Sequence, residues 1–141
     1  SQTEVHDKRM TYLACDAYFG GAYNFIFEYD EYQHFSSKRM LSLESYPKNI
    51  KLGFNLDNYR DLCMSHKEKA DKYRKNKSTK DFPFVGGRTA QRAYLDAFKD
   101  ILPNLHGLNP TIRISEFEVK SITMNGTESR ELIGKILAKY I

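Results

Sequence analysis

The sequence predicts a single domain over residues 1–141, of the α/β or α+β class, with an N-terminal antiparallel β-meander and a mixed sheet on which about three helices pack. Three observations predict this class. The length fits one domain. Residues 10–43 contain strand-like runs between turn signals. Later segments repeat apolar residues at helical spacing. Residues 1–9 are polar, and we expect them to be flexible.

The meander is predicted from three consecutive segments. Residues 10–19 are largely apolar on both faces, which is typical of a strand covered on both sides. After the turn signal Gly20-Gly21, residues 22–29 alternate strictly and place four aromatic rings on one face. Residues 32–43 can supply the third strand.

Two helices are predicted in the middle of the chain. Residues 57–76 carry apolar side chains at helical spacing, and Asn55 or Asp57 can cap this helix. Residues 90–102 show the clearest amphipathic pattern, and Pro103 is expected to end that helix. The apolar stripe of the second helix consists of Ala93, Tyr94, Ala97, Phe98, Ile101 and Leu102.

A late strand and a last helix complete the prediction. Residues 111–115 form the strand, and the apolar phase changes near Ser115-Glu116, which indicates a strand end or a bulge. Residues 129–140 are amphipathic and predict the third helix.

The positive charge is concentrated in one segment. The net charge is +4, but residues 67–80 alone hold seven Lys or Arg against two acidic residues. This segment, at the end of a predicted helix over 57–80, is a candidate contact for nucleic-acid phosphates, and a solvated helix end is the alternative. Gly86-Gly87 leads into a helix N-terminus that could hold an anion. The candidate nucleic-acid-binding residues are Lys67, Lys69, Lys72, Tyr73, Arg74, Lys75, Lys77 and Arg88.

Several other features narrow the class of protein. Cys15 and Cys63 are far apart and are interpreted as reduced thiols, which favours the cytoplasm or another reducing intracellular compartment. The four histidines lack the spacing of zinc ligands. No apolar run approaches the roughly 18 residues of a membrane span, so we expect no membrane partner.

Two acidic residues are candidates for catalysis. Asp16 interrupts a strand that is apolar on both faces, where a carboxylate is costly unless it is paired, hydrogen-bonded or bound to metal. Glu116 lies where the late strand ends. If these strands are neighbours, both carboxylates could bind Mg²⁺ for phosphodiester cleavage. The alternative is that Asp16 accepts hydrogen bonds from backbone amides and that Glu116 and Glu118 are solvated.

The order of elements resembles the ribonuclease H-like superfamily over about residues 10–43 and 88–119. The run YLACDAYFGGAYNFIFEY resembles its first two strands, RTAQRAYLDAFKDIL its first helix and TIRISEFEV its fourth strand. The resemblance implies that Asp16 is the first catalytic acid and Glu116 the second. Tyr94 stands where the family has a helical glutamate, and about forty residues with the basic helix are inserted. These departures imply a degenerate, non-catalytic member of the family, or one with altered chemistry.

A shorter pattern is similar to another nuclease motif. Arg60-Asp61-x4-His66 matches the Arg-polar-x4-His motif of HEPN ribonucleases. Those proteins are all-helical, and His66 lies on the apolar stripe of its helix, so we expect a packed imidazole.

Three functions therefore follow from the sequence. The first is nucleic-acid binding through the 67–80 segment, without a cofactor. The second is an Mg²⁺-dependent nuclease that uses Asp16 and Glu116. The third is a protein-interaction or inhibitor module, viral or bacterial in origin, that uses an aromatic-rich surface.

Overall fold

The computed structural model describes residues 14–123 and the single positions 131, 134 and 138. The predicted helix over 129–140 and the start of the first predicted strand lie outside the described residues 14–123. In chain order the described elements are β1 (Ala17–Phe19), β2 (Phe25–Asp30), a 3-10 helix (Tyr32–His34), α1 (Ser37–Glu44), α2 (Leu56–Lys72), α3 (Gly87–His106), β3 (Ile112–Ser115) and α4 (Glu116–Thr123).

The predicted fold class is confirmed, because the described part of the chain is an α+β structure with a three-stranded mixed sheet. The strand order is β1-β2-β3. β1 pairs with β2 in antiparallel register, with Ala17 opposite Phe27, and β3 pairs with β2 in parallel, with Ile112 opposite the same Phe27. Four α-helices accompany this sheet among the described residues, where about three were expected.

The third strand predicted over 32–43 is wrong, since this segment is helical. Ser36 accepts a hydrogen bond from the Arg39 amide through its side chain at 3.1 Å, which caps α1. Arg39 and Leu43 then fall one helical turn apart, and both are buried. The place beside β2 is taken by β3 instead.

α2 begins close to its predicted start and carries much of the core, but it ends at Lys72, so the helix predicted to run to residue 76 or 80 is wrong over its last part, which is a loop. The Asn55 side chain accepts from the Asn58 amide at 2.9 Å and caps the helix. One face of the helix buries Tyr59 and Cys63 against Phe35 and other apolar side chains. Both cysteines are free, and burial raises the pKa of the Cys63 thiol to about 12, which makes it an inert core group.

α3 continues past Pro103, where the sequence predicted its end. A proline inside a helix frees the carbonyl four residues earlier, which is Lys99. The Thr111 hydroxyl donates to this carbonyl at 2.6 Å and replaces the missing hydrogen bond. The last helical residue is His106, and Gly107 caps the helix. The backbone of Gly107 is left-handed, with φ of 70°, and its amide donates a hydrogen bond to the Pro103 carbonyl.

The buried face of α3 overlaps the predicted apolar stripe only at Ala93. Tyr94 and Phe98 are 55% and 42% exposed. The buried residues of the helix are Gly87, Thr89, Ala93, Asp96, Asp100 and Pro103. The helix is rotated because arginines elsewhere in the fold pair with its two buried carboxylates, as described below.

β3 is buried along its whole length and divides the interior into two parts. Ile112 and Ile114 pack with Phe25 in one apolar cluster. Arg113 and Ser115, on the opposite face of the strand, are also buried. The change of apolar phase at Ser115-Glu116 is a strand end, since α4 begins at Glu116.

Candidate functional site

The basic segment lies at the end of α2 and in the loop that follows it. Tyr73 ends the helix and is half-buried. Its ring contacts Tyr32 with centroids 5.8 Å apart, and Lys69 Nζ lies 4.2 Å from the centre of the Tyr32 ring. Lys67 is half-buried on the same helix. The end of α2 is therefore fixed against the 3-10 helix by aromatic and cation–π contacts.

The loop after α2 folds back onto the start of α3. The Gly86 amide donates to the Lys75 carbonyl at 2.8 Å, and the Arg88 amide donates to the Lys77 carbonyl at 3.1 Å. A Cβ on Gly87 would lie 2.0 Å from the Phe82 carbonyl oxygen, so only glycine permits this approach. The fold thereby places Lys75 and Lys77 beside the N-terminus of α3.

Two guanidinium groups lie over the ring of Tyr73, and Arg88 lies one helical turn before the second of them, Arg92. The Cζ atoms of Arg74 and Arg92 lie 5.3 and 5.6 Å from the centre of the Tyr73 ring. Burial lowers the pKa of Arg92, and the positive charges of Arg88 and Arg74 lower it further, against the opposing effects of Asp96 and Tyr73. Like charges held this close favour the binding of an anion.

We call this surface the basic face, defined as Lys72, Arg74, Lys75, Lys77, Arg88 and Arg92. The first five of these residues were predicted from the sequence as nucleic-acid-binding residues, together with Lys67, Lys69 and Tyr73. Arg92 was missed. Its spacing from Arg88 could have revealed it, because residues four apart lie on the same side of a helix.

The acidic candidate Asp16 is exposed and is not in a covered strand. It precedes Ala17 on β1, an outer strand of the described sheet. Its carboxylate accepts a hydrogen bond from the Tyr29 amide at 2.7 Å. The expectation that Asp16 is buried is therefore wrong, and the alternative that it bonds a backbone amide is confirmed.

Glu116 also bonds a backbone amide, at a different place. Its carboxylate accepts from the Tyr32 amide at 2.8 Å and from Lys120 Nζ at 2.9 Å. The hydrogen bond from Lys120 lowers the pKa of Glu116 despite partial burial. Asp16 precedes β1 and Glu116 begins α4 after β3, and β1 and β3 lie on opposite sides of β2. Each carboxylate is held by its own backbone amide, Asp16 by that of Tyr29 and Glu116 by that of Tyr32.

A buried ionic cluster that was not among the sequence predictions lies between β2, β3, α1 and α3. Arg113 lies 3.0 Å from Asp30, 3.4 Å from Asp96 and 2.7 Å from Asp100, measured between guanidinium nitrogens and carboxylate oxygens. Arg39 lies 2.7 Å from Asp100. All five of these side chains are at most 2% exposed. We call these five residues and His34 the ionic cluster.

Phenolic hydroxyls satisfy the remaining hydrogen-bonding groups of this cluster. Tyr46 accepts from Arg39 at 2.6 Å and donates to Asp100 at 2.5 Å. Tyr59 donates to Asp30 at 3.1 Å. Buried charges are tolerated when they are paired and hydrogen-bonded in this way. A signal did exist in the sequence: Arg113 stands between two isoleucines of a strand that is buried on both faces.

Three members of the cluster are close enough to be considered as metal ligands. Asp30, His34 and Asp96 offer ligand atoms within 4.8 Å of one another. His34 Nδ1, however, is hydrogen-bonded to Asp96 at 2.7 Å, and Arg113 donates to both oxygens of Asp30. The atoms that would face a metal thus already bond to Arg113 or to one another, so we interpret this group as part of the ion-pair network.

His34 makes the stability of the fold depend on pH. Burial disfavours the imidazolium, and Arg113 on β3 opposes it, but the hydrogen bond to Asp96 on α3 and the charges of Asp96 and Asp30 on β2 outweigh these effects. The pKa of His34 is therefore raised. Its contribution to stability is complete below the unfolded pKa of about 6.5 and is lost as pH rises through the folded pKa.

Because the pKa of His34 is raised in the folded state, we expect the urea concentration at the unfolding midpoint to decrease as the pH rises above about 6.5. His34→Gln should flatten this part of the profile. His106→Gln, at an exposed histidine in the last turn of α3, is the matched control and should leave it unchanged. A profile that keeps its slope in His34→Gln would contradict the assignment.

A cleft of about 670 Å³ opens beside the ionic cluster. Asp30, Arg113 and Tyr59 contribute to its lining, and Phe54 and Phe117 are among its aromatic residues. Acidic residues, Asp61 and Glu118, also line it, which makes it a poor site for phosphate. This cleft shares no lining residue with the basic face.

His66 is packed, as expected from its position on the helix. Its ring stacks on Phe117 with centroids 4.0 Å apart and an angle of 6° between the rings. Arg60, the other residue of the nuclease-like motif, lies 3.8 Å from Asp57 in an exposed pair. The structure thus supports the expectation that His66 is a packed imidazole.

No family model, curated protein or solved structure matches this chain. The ribonuclease H-like resemblance therefore stays a prediction. Within residues 14–123, no helix is long and apolar enough to cross a membrane.

Proposed function

We propose that this protein binds nucleic acid through the basic face. The observation that carries the proposal is the placement of Arg74 and Arg92 against one tyrosine ring, with the positive charge of Arg88 acting on Arg92 from one turn earlier in α3. Two further lysines are held beside them, because Lys75 and Lys77 bond the first residues of α3. A polyanion would relieve the mutual repulsion of these cations and release its own counterions.

The charge distribution supports a polyanion rather than a single anion. Residues 67–92 hold nine Lys or Arg against three acidic residues. Of those acids, Asp71 accepts a hydrogen bond from the Ser37 amide at 2.9 Å and is half-buried. The cations of the basic face therefore exceed what nearby carboxylates can neutralise, which is the pattern of a phosphate-backbone contact.

The proposal is one of binding and not of cleavage. Asp16 and Glu116 each accept a hydrogen bond from a different backbone amide, Asp16 just before β1 and Glu116 at the start of α4. A shared Mg²⁺ would require both carboxylates to leave these amides and to approach one another. This arrangement therefore favours binding over cleavage.

Reversing three exposed charges of the basic face should weaken binding to every nucleic-acid sequence alike. The variant Arg74→Glu, Lys75→Glu and Arg88→Glu removes about three phosphate contacts. We expect the slope of log affinity against log salt to fall by about 3, and affinity near 200 mM salt to become unmeasurable. Fluorescence anisotropy of a labelled oligonucleotide measures both quantities.

The matched control reverses three exposed lysines elsewhere on the surface: Lys38→Glu, Lys48→Glu and Lys51→Glu. It changes the net charge of the chain by the same amount. Binding by this control should keep its salt slope. If wild-type binding does not depend on salt, or if both triple variants lose affinity equally, the basic face is not the binding site.

A further inference from the structure

A row of aromatic rings extends along the surface next to the basic face. Phe84 contacts Phe82 with centroids 6.2 Å apart, Phe82 contacts Tyr94 at 5.9 Å, and Tyr94 contacts Phe98 at 5.9 Å. We call these four residues the aromatic row. Two of them belong to the loop that carries Lys75 and Lys77, and two belong to α3, which carries Arg88 and Arg92.

The aromatic row is exposed to an unusual degree. Phe84, Tyr94 and Phe98 are 47%, 55% and 42% exposed, and the adjoining Val85 and Leu95 are 68% and 37% exposed. Leaving this apolar area in water is unfavourable, and contiguous exposed apolar patches usually mark binding sites. The rings contact one another but keep about half of their surface in water, because α3 turns its opposite side to the interior.

The aromatic row and the guanidinium groups lie on one continuous surface of α3. At about 100° per residue, Arg88 and Arg92 mark one edge of the exposed face and Tyr94 and Phe98 the other. Leu95 lies between them on that face. The rise from Arg88 to Tyr94 is roughly 9 Å. A strand of nucleic acid can therefore place phosphates on the arginines and bases on the rings.

We infer that the ligand of the basic face is single-stranded nucleic acid, whose unpaired bases stack on Phe84, Tyr94 and Phe98. This inference rests on the proposed function. The charge of the basic face indicates that the ligand is a polyanion. The exposed rings beside it indicate a polyanion whose bases are unpaired and can stack on them. In a duplex the bases stack on one another and cannot stack on the aromatic row. A duplex would therefore contact only the Lys and Arg side chains, through its phosphates.

The test compares a single strand of about 15 thymidines with a duplex of equal length, a size chosen to cover one compact binding site. We expect the single strand to bind at least about tenfold more tightly at the same salt concentration. The variant Tyr94→Ala with Phe98→Ala should lose about tenfold or more for the single strand and change little for the duplex. Quenching of tyrosine fluorescence by the single strand should also decrease in this variant.

Tyr23→Ala is the control, because Tyr23 is another exposed ring (57%), far along the chain near β2. It should leave both affinities unchanged. Equal binding of single strand and duplex, with no loss in the ring variant, would overturn the inference and leave the proposed function standing. No salt-dependent binding of either ligand would overturn both.

Self-association provides a further outcome. If sedimentation shows a dimer that becomes monomeric in Tyr94→Ala with Phe98→Ala, while single-strand binding persists, the aromatic row is an interface between copies and the inference fails. A monomeric wild type whose ring variant loses single-strand binding supports it.

Discussion

Replacing Arg113 by Met is expected to destabilise the fold by about 3–5 kcal/mol, because the change leaves buried carboxylates without their main counter-charge. Arg113 pairs with Asp30, Asp96 and Asp100, and it is 2% exposed. Burial alone would raise the pKa of Asp96, but the Arg113 charge and the His34 hydrogen bond hold it well below its usual value. A loss of this size is a large part of the stability of a typical domain.

Chemical denaturation measures this effect through the urea midpoint and slope. The matched control is Arg60→Met, since Arg60 forms only an exposed pair with Asp57 at 3.8 Å. Such pairs contribute about 1 kcal/mol or less, so the control should unfold almost as the wild type does. If Arg113→Met is as stable as the control, the prediction is wrong, and apolar packing at this position compensates for the lost ion pairs.

Asp100→Asn is the second substitution with a large expected effect, again about 3–5 kcal/mol. Asp100 binds Arg39 and Arg113, and it accepts from the Tyr46 hydroxyl. Arg39 has a carboxylate ion pair only with Asp100 among the described residues. Neutralising Asp100 therefore leaves a fully buried guanidinium with phenolic hydroxyls as its remaining partners.

Asp61→Asn is the control for this substitution, because Asp61 is an exposed acid on α2. Its thermal midpoint should stay close to that of the wild type, whereas Asp100→Asn should unfold many degrees lower. Comparable midpoints for the two variants would show that Asp100 does not hold the two arginines in place.

Much of the fold could be predicted because local periodicity identifies most of its elements. The alternation in β2, the cap at Asn55 and the apolar spacing of α2 are local signals, and each element appears where it was expected. The segment 32–43 was misassigned because its aromatic residues suit a strand equally well. The Ser36 cap decides for a helix, and it is a single side-chain hydrogen bond.

The orientation of α3 could not be predicted from its own residues. From the sequence alone, Asp96 and Asp100 predict a solvent-exposed face of the helix, because the arginines that pair with them lie outside the helix. Arg39 pairs with Asp100 across 61 positions of the chain, and no local pattern contains that pairing. Pro103 was misinterpreted for the same reason, since Thr111 supplies the missing hydrogen bond from outside the helix.

The candidate site was predictable to the extent that its residues are contiguous in sequence. The lysines and Arg74 form an obvious charge run, and Arg88 follows a glycine pair. Arg92 and the aromatic row were missed because the apolar stripe of α3 was assigned to the core. Asp16 was expected to be buried because the flanking residues are apolar, although an outer strand leaves it in water.

The ionic cluster also bears on how the chain reaches its native state. Arg113 pairs with Asp30 across 83 positions and with Asp100 across 13, and a buried guanidinium is stable only when both are in place. Half-assembled intermediates would hold a desolvated charge without its partner, so they are high in free energy. We therefore expect β2, β3, α1 and α3 to unfold together as one cooperative unit.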